Sequence, residues 1–173
     1  GTIEGRKNHA LLLSIWRHLI EQSGHRPIPK LVLVGRRGWQ ADEVFAQLDS
    51  GLFGDRVSEL GPLDDRRVLQ VLTRAHALLF PSFAEGYGMP LVEALAAGVP
   101  VIASDLPVFR EIGQGVPELL RTDDKKAWAD AICDYASDSS VRRAAQLRRL
   151  KGFVAPDWKT HFVHVDRLLA RLG

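Results

Sequence analysis

Cysteine is nearly absent: Cys133 stands alone among 173 residues. A single thiol excludes an internal disulfide framework and any cysteine-cluster zinc site, and a reducing, cytoplasmic compartment is the default for such a chain. Excess charge is lacking as well. Lysine and arginine total 23 against 21 aspartates and glutamates, a net charge of +2. That surplus is too small to point to nucleic acid as a partner. No apolar run approaches the roughly 18 to 20 residues needed to cross a bilayer. The opening residues show no initiator methionine and no charged-then-apolar signal pattern. Internal repeats and low-complexity linkers are missing too.

What remains is an ordinary globular composition, 46% hydrophobic and 25% charged. The length corresponds to about one domain and suffices to bury a core without staples. The abrupt opening, Gly1-Thr2-Ile3-Glu4-Gly5-Arg6-Lys7-Asn8, reads as cut from something longer, so the chain is expected to be a fragment.

Apolar spacing predicts a helix over 9–23, with Asn8 as N-cap and Gly24 as stop. The continuous apolar run over 30–35 predicts a buried parallel strand. A helix over 41–48 and a weaker strand over 56–60 follow. Asp64 or Asp65 caps a helix reaching Thr73, and 77–82 is a strand stopped by proline. A proline-started helix over 90–97 ends at Gly98. Then come a strand over 99–104, a short helix over 107–112 and a strand over 118–121. Asp123 or Asp124 caps a helix to about Ser137, and helices over 140–151 and 157–172 close the chain. Strands alternating with helices predict an α/β, Rossmann-like fold: βαβ units with right-handed crossovers and a parallel sheet sandwiched by helices. Ligands of such sheets bind at the carboxyl ends of the strands. The loops of interest follow Gly35, Leu60, Phe80, Ala103 and a strand expected before Gly1.

The richest of these loops runs from Ser82 to Glu93. Gly86 and Gly88 permit positive φ and close approach of a ligand. The helix that follows offers unpaired N–H groups from about Met89 to Val92, together with the positive end of its macrodipole, which suits a phosphate or diphosphate. Glu85 and Glu93 flank that cradle. Carboxylates are poor phosphate ligands and good acceptors for sugar hydroxyls, so the residues point to a nucleotide-sugar. The plain alternative is a common Gly-Tyr-Gly turn with an acid complementing a helix dipole. The order of strand, loop, proline-started helix and two acids favours the first reading.

Phe80-Pro81-Ser82, Glu85-Gly86-Tyr87-Gly88-Met89-Pro90 and the run from Glu93 through Gly98-Val99-Pro100 to Ala103 resemble the signature of glycosyltransferase family 4. These are retaining, nucleotide-sugar-dependent enzymes of the GT-B fold. Gly1 to Asn8 and Gly61-Pro62-Leu63 fit the same order, and the resemblance extends to about Lys126. Two glutamates with seven residues between them make it specific. It implies that 1–173 is the C-terminal, donor-binding half of a GT-B enzyme, with an N-terminal acceptor domain as its missing partner. It implies that Glu85 contacts the transferred sugar, that Glu93 holds the ribose, and that main-chain groups from Gly88 to Leu91 hold sugar and diphosphate. Gly86, Tyr87, Gly88, Met89, Pro90 and Leu91 are therefore donor-binding candidates. Tyr87 is open between a ligand-facing ring and a packing residue.

Lys7 resembles the family's diphosphate lysine and, with Glu85, is the catalytic candidate; a lysine there offsets charge growing on the leaving nucleotide. There is a departure: where many members place an arginine after a glycine, Thr2 follows Gly1. Arg6 is the candidate second cation. The nucleobase is expected over Gly35, Arg36 and Leu63, with Arg37 read rather as a solvated loop charge. Members are generally metal-independent, consistent with the lack of a dense Asp/His cluster, so no metal and no cofactor beyond the donor are expected. The opening Gly-Thr-Ile-Glu-x-Arg-Lys-Asn is similar to bacterial enzymes of surface-polysaccharide assembly, several of which use GDP-mannose. Two other readings stand beside this one: a sugar-nucleotide epimerase or phosphorylase of GT-B architecture, and a non-catalytic nucleotide-binding module.

The remaining features have plain readings. His18, His161 and His164 read as surface or packing residues, and His9 as a structural residue that could approach the donor. Trp16, Trp39, Trp128 and Trp158 read as packing residues. Arg142, Arg143, Arg148, Arg149 and Lys151 form a basic stretch, read first as a solvated helix face and second as a peripheral contact with an anionic membrane.

Overall fold

Five short strands form among the described residues, most of them where apolar residues cluster: β1 (Leu31–Val34), β2 (Val57–Leu60), β3 (Leu78–Phe80), β4 (Val101–Ser104) and β5 (Glu118–Leu120). The structure, a computed structural model, describes residues 1–22 and 28–172, without the side chains of Trp158, Thr160, His161, His164 and Leu172. The expected stop at Gly24 and the readings of His161, His164 and Trp158 lie outside the described residues. The strands come out shorter than expected where prolines interrupt them. Pro81 follows β3, and Pro100 has no N–H to give a ladder, so it contributes only its carbonyl, which accepts from Leu78 N–H at 2.8 Å.

Eight α-helices alternate with these strands: α1 (His9–Gln22), α2 (Asp42–Asp49), α3 (Asp65–Leu72), α4 (Met89–Ala96), α5 (Pro107–Ile112), α6 (Lys125–Tyr135), α7 (Val141–Leu150) and α8 (Trp158–Leu172). Side-chain caps fix three starts. Asp64 accepts from Arg67 N–H at 2.8 Å, Asp124 from Ala127 N–H at 2.9 Å and Ser140 from Arg143 N–H at 2.9 Å. Asp123 is engaged by Arg121 instead. Asn8 stands immediately before α1, where its carbonyl accepts from Leu11 N–H at 3.1 Å; it has φ +52° and also closes a 3-10 turn over Gly5–Lys7.

All pairing is parallel, as the βαβ alternation requires. The expected single sheet is instead two, β1–β2 and β3–β4–β5. Alternation along each strand shows which edges of the two sheets face away from their paired neighbours. Gly35 N–H bonds Leu60 on β2, and the Val34 carbonyl points the other way, where it accepts from the Gly1 nitrogen at 2.8 Å. Val32 shares the orientation of Val34. Leu78 N–H faces β4, so Leu79 turns its main-chain groups the other way. Between these two free edges lies a cleft of about 1180 Å³, lined along the strands by Leu31, Leu33, Leu78 and Leu79 and floored by Trp16 and Ile102. Ile3 continues the ladder direction through a parallel bridge to Arg37.

The core falls into two clusters. One joins α1, α6 and β1 through Leu13, Trp16, Leu33, Trp128 and Ile132. Both indoles are satisfied: Trp16 N–H donates to the Pro29 carbonyl and Trp128 N–H to that of Arg121. The other cluster joins α4, β4 and α5 through Leu91, Leu95, Val101 and Phe109. Trp39 departs from expectation. It is 65% exposed because it sits in the loop past β1 and not on a packed helix.

The basic stretch on α7 is largely engaged with its own chain. Arg142 pairs with Glu118, Arg143 approaches Asp138 at 3.9 Å and Arg149 donates to the Val116 carbonyl. Arg148 and Lys151 remain exposed. Gln146, from the same helix, is fully buried. Its side-chain amide bonds both main-chain groups of Val101 and the carbonyl of Val116. Among the described residues no helix is long and apolar enough to cross a membrane.

Candidate donor-binding site

The loop between β3 and α4 sits at the carboxyl end of the strand, where the fold places ligands. Gly88 is its pivot. It has φ +91° and ψ +44°, and a Cβ there would stand 2.5 Å from Phe109 Cε1. Only glycine satisfies both conditions. Gly86 differs from the expectation: its φ is not positive and a Cβ would meet nothing within 4 Å. Its outer side is open space. Tyr87 and Met89 flank Gly88 and are exposed, Tyr87 at 42%, so the ring is not a core residue.

The first turn of α4 offers fewer donors than its sequence suggests. Pro90 has no N–H. Leu91 is buried in the core and gives its N–H back to the Gly88 carbonyl at 2.9 Å. The N–H groups of Gly88 and Met89 have no main-chain acceptor among the described residues.

Lys7, Leu63, Pro90 and Glu93 line one mouth of the cleft between the sheets, together with Gly1, Thr2 and His9. The fold thus brings together Lys7 and Glu93, 86 positions apart in sequence. Among the described residues neither Lys7 nor Glu93 has an ion-pair partner. Lys7 Nζ lies 2.5 Å from where a Cβ on Gly1 would stand. His9 is largely buried, with Nδ1 unpartnered. Burial first, and the Lys7 cation second, push its pKa down to about 4, so its imidazole is neutral near pH 7.

Glu85 and Arg6 lie beside this mouth and are bound to each other. The Arg6 guanidinium is 2.6 Å from Glu85 Oε2 and 2.8 Å from Glu4 Oε1. Glu85 Oε1 accepts from the buried Ser82 hydroxyl at 2.9 Å. Sequence reasoning gave no role to Ser82 or Glu4, although Ser82 lies in the signature run Phe80-Pro81-Ser82, three residues before Glu85. Arg6, expected as a second cation for the diphosphate, is turned toward carboxylates of its own chain.

On the nucleobase side, Gly35 has φ +149° and its missing Cβ admits the Gly1 carbonyl, which would be 1.5 Å away. Arg36 is exposed and its carbonyl accepts from Ile3 N–H. Arg37 is not a free loop charge. It pairs with Asp49 at 2.6 Å and Glu59 at 2.7 Å and lies over the Phe45 ring. That network ties β1, α2 and β2 together; Arg36 is exposed and Leu63 is half-buried along the cleft. A smaller hollow of about 290 Å³, on Arg74, His76, Gly98 and Arg143, lies away from this loop.

Comparison with known proteins places the family. The chain matches the family described as glycosyl transferases group 1 over residues 1–138. It is 30% identical over 172 residues to O-antigen chain mannosyltransferase B of Escherichia coli, covering 98% of this chain and 45% of that protein. It is 36% identical over 120 residues to the serotype-specific mannosyltransferase WbdA of Escherichia coli, covering 66% of this chain and 14% of that one. Among solved structures, the sucrose-phosphate synthase of Thermosynechococcus elongatus superposes with a TM-score of 0.72 at 24% identity, over 96% of this chain and 42% of the other. That likeness is one of fold, the helix-covered parallel α/β half expected of a GT-B enzyme. The chain spans less than half the length of these proteins. With its family signature carried by a loop that the fold sets at the mouth of the cleft, this chain belongs to the glycosyl transferases group 1 family.

Proposed function

We propose that this chain is the donor-binding half of a retaining hexosyltransferase that takes its sugar from a nucleoside diphosphate. The carrying observation is the convergence of Lys7 and Glu93 at one mouth of the cleft, beside the loop that carries Glu85 and Gly88. In this reading Glu93 accepts from the ribose hydroxyls and Glu85 from the hexose. Lys7 and the N–H groups of Gly88 and Met89 meet the diphosphate, and the nucleobase lies between Arg36 and Leu63. The anomeric carbon loses its bond to the diphosphate oxygen and gains one to the acceptor oxygen, on the same face. The acceptor proton passes to the departing diphosphate. The protein's share is positioning and the neutralisation of charge on the leaving group. Lys7 and the helix start supply that charge in this reading, without a metal or cofactor.

The mannosyltransferase relatives favour GDP-mannose as donor and surface-polysaccharide assembly as context. The acceptor is then bound by an N-terminal domain outside this chain. The lone cysteine fits the cytoplasm, where such donors are consumed. Exposed Arg148 and Lys151 offer a peripheral contact with anionic lipid. Sedimentation with anionic vesicles at low salt tests that contact, and absence of binding removes it.

Calorimetric titration of the intact enzyme with GDP, UDP, ADP and dTDP tests the donor site. One diphosphate, GDP in this reading, is preferred. Lys7→Ala and Glu93→Ala each weaken it about tenfold or more, the scale of a charge-assisted hydrogen bond. A folded protein that binds none of the four, or variants that bind as the parent does, overturns the assignment.

A further inference from the structure

Arg6 makes more contacts at the site than the proposed chemistry uses. Its guanidinium reaches Glu85, Glu4 and, at 3.0 Å, the Ala84 carbonyl. Main chain closes the same junction, with Phe83 N–H donating to the Arg6 carbonyl at 2.8 Å. Both oxygens of Glu85 are therefore held, Oε2 by Arg6 and Oε1 by Ser82. A carboxylate offers about four acceptor sites. Two are spent inside the protein and two remain for hydroxyls of a sugar.

The same geometry argues against Arg6 as a diphosphate ligand. Three of its five N–H groups serve two carboxylates and a carbonyl, which hold the guanidinium toward Glu4 and Glu85. Turning to a phosphate would strand Glu4, a buried carboxylate, without a countercharge. Lys7, the next residue, has no such engagement and lines the cleft mouth.

We propose that Arg6 is a positioning residue. Through the chain Glu4–Arg6–Glu85–Ser82 it fixes the carboxylate that meets the transferred sugar, and it does not bind the diphosphate. This rests on the donor-site reading above. It has a consequence that a direct ligand would not share: Arg6 matters for the sugar portion of the donor and is silent toward the nucleotide portion.

The test compares two ligands on the intact enzyme, GDP and GDP-mannose, across the parent, Arg6→Ala, Arg6→Lys and Lys7→Ala. In Arg6→Ala, GDP-mannose binding and kcat each fall about tenfold, while GDP stays within about twofold. Arg6→Lys recovers part of the loss, since an ammonium keeps the charge but cannot span both carboxylates and the carbonyl. Lys7→Ala weakens both ligands together. Arg6→Ala leaves Glu4 buried and unpaired, so the pair Glu4→Gln with Arg6→Ala is measured alongside, with thermal unfolding as a check on folding. Equal loss of GDP and GDP-mannose makes Arg6 a diphosphate ligand and overturns the proposal. Unchanged GDP-mannose binding and kcat overturn it as well. Failure of the donor-site reading looks different: the parent then binds neither ligand, and both readings fall together.

Discussion

Two glycines one residue apart in Gly86-Tyr87-Gly88 respond to the same substitution in opposite ways. At Gly88 an alanine must hold φ +91°, which disfavours an L side chain by about 1–2 kcal/mol. Its methyl also meets Phe109 at 2.5 Å. Phe109 is fully buried and packs on Phe80 with ring centroids 5.0 Å apart, so it cannot swing away. Overpacking of this kind adds about 1–3 kcal/mol. Gly88→Ala should therefore destabilise by about 2–5 kcal/mol. At Gly86 neither cause operates, and Gly86→Ala should change stability by about 0.5 kcal/mol or less. Its methyl points into the space where a donor would approach, so it should instead weaken nucleotide-sugar binding. Urea unfolding with the slope held as a check, paired with calorimetric titration, separates the two effects. A loss below about 1 kcal/mol for Gly88→Ala, or equal destabilisation by both, would refute the assignment of roles within the motif.

Gln146→Leu removes a side chain that satisfies the N–H and C=O of Val101 in a buried setting; Val116 keeps Arg149 as a donor. Two orphaned main-chain groups cost about 2–5 kcal/mol, read as a lower urea midpoint; an unchanged midpoint contradicts this. His9 contributes a pH dependence whose sign follows from its depressed pKa of about 4 against 6.5. Between those values the unfolded chain binds the proton and the folded one does not. Stability is thus full above about pH 6.5 and is lost as pH falls toward 4, by at most about 3 kcal/mol. His9→Gln should flatten that part of the curve relative to the parent; parallel curves would show that His9 does not titrate this way.

Local signals carried most of the elements. Proline and glycine punctuation located α4 and α5, and aspartate or serine caps set the starts of α3, α6 and α7. The Glu85 to Glu93 loop was legible because its parts are contiguous, and Lys7 was legible only through family resemblance. Long-range pairings were not. Arg6 meets Ala84 across 78 positions, and no spacing rule connects them. Gln146 sits among arginines and reads as solvated; only the packing of α7 on β4 shows it buried. The division of the sheet was illegible because strand pairing depends on which edges meet, a property no single strand carries.

The cleft between β1 and β3 bears on how the chain behaves in solution. Main-chain donors and acceptors on Val32 and Leu79 line its two sides, over walls of leucine. Open strand edges of this kind are templates for pairing with any extended segment that reaches them. The chain is therefore open to recruiting a strand at this gap. At high concentration it should draw in segments of its own copies and associate, and its solubility should rise when a covalently attached extended segment occupies the gap.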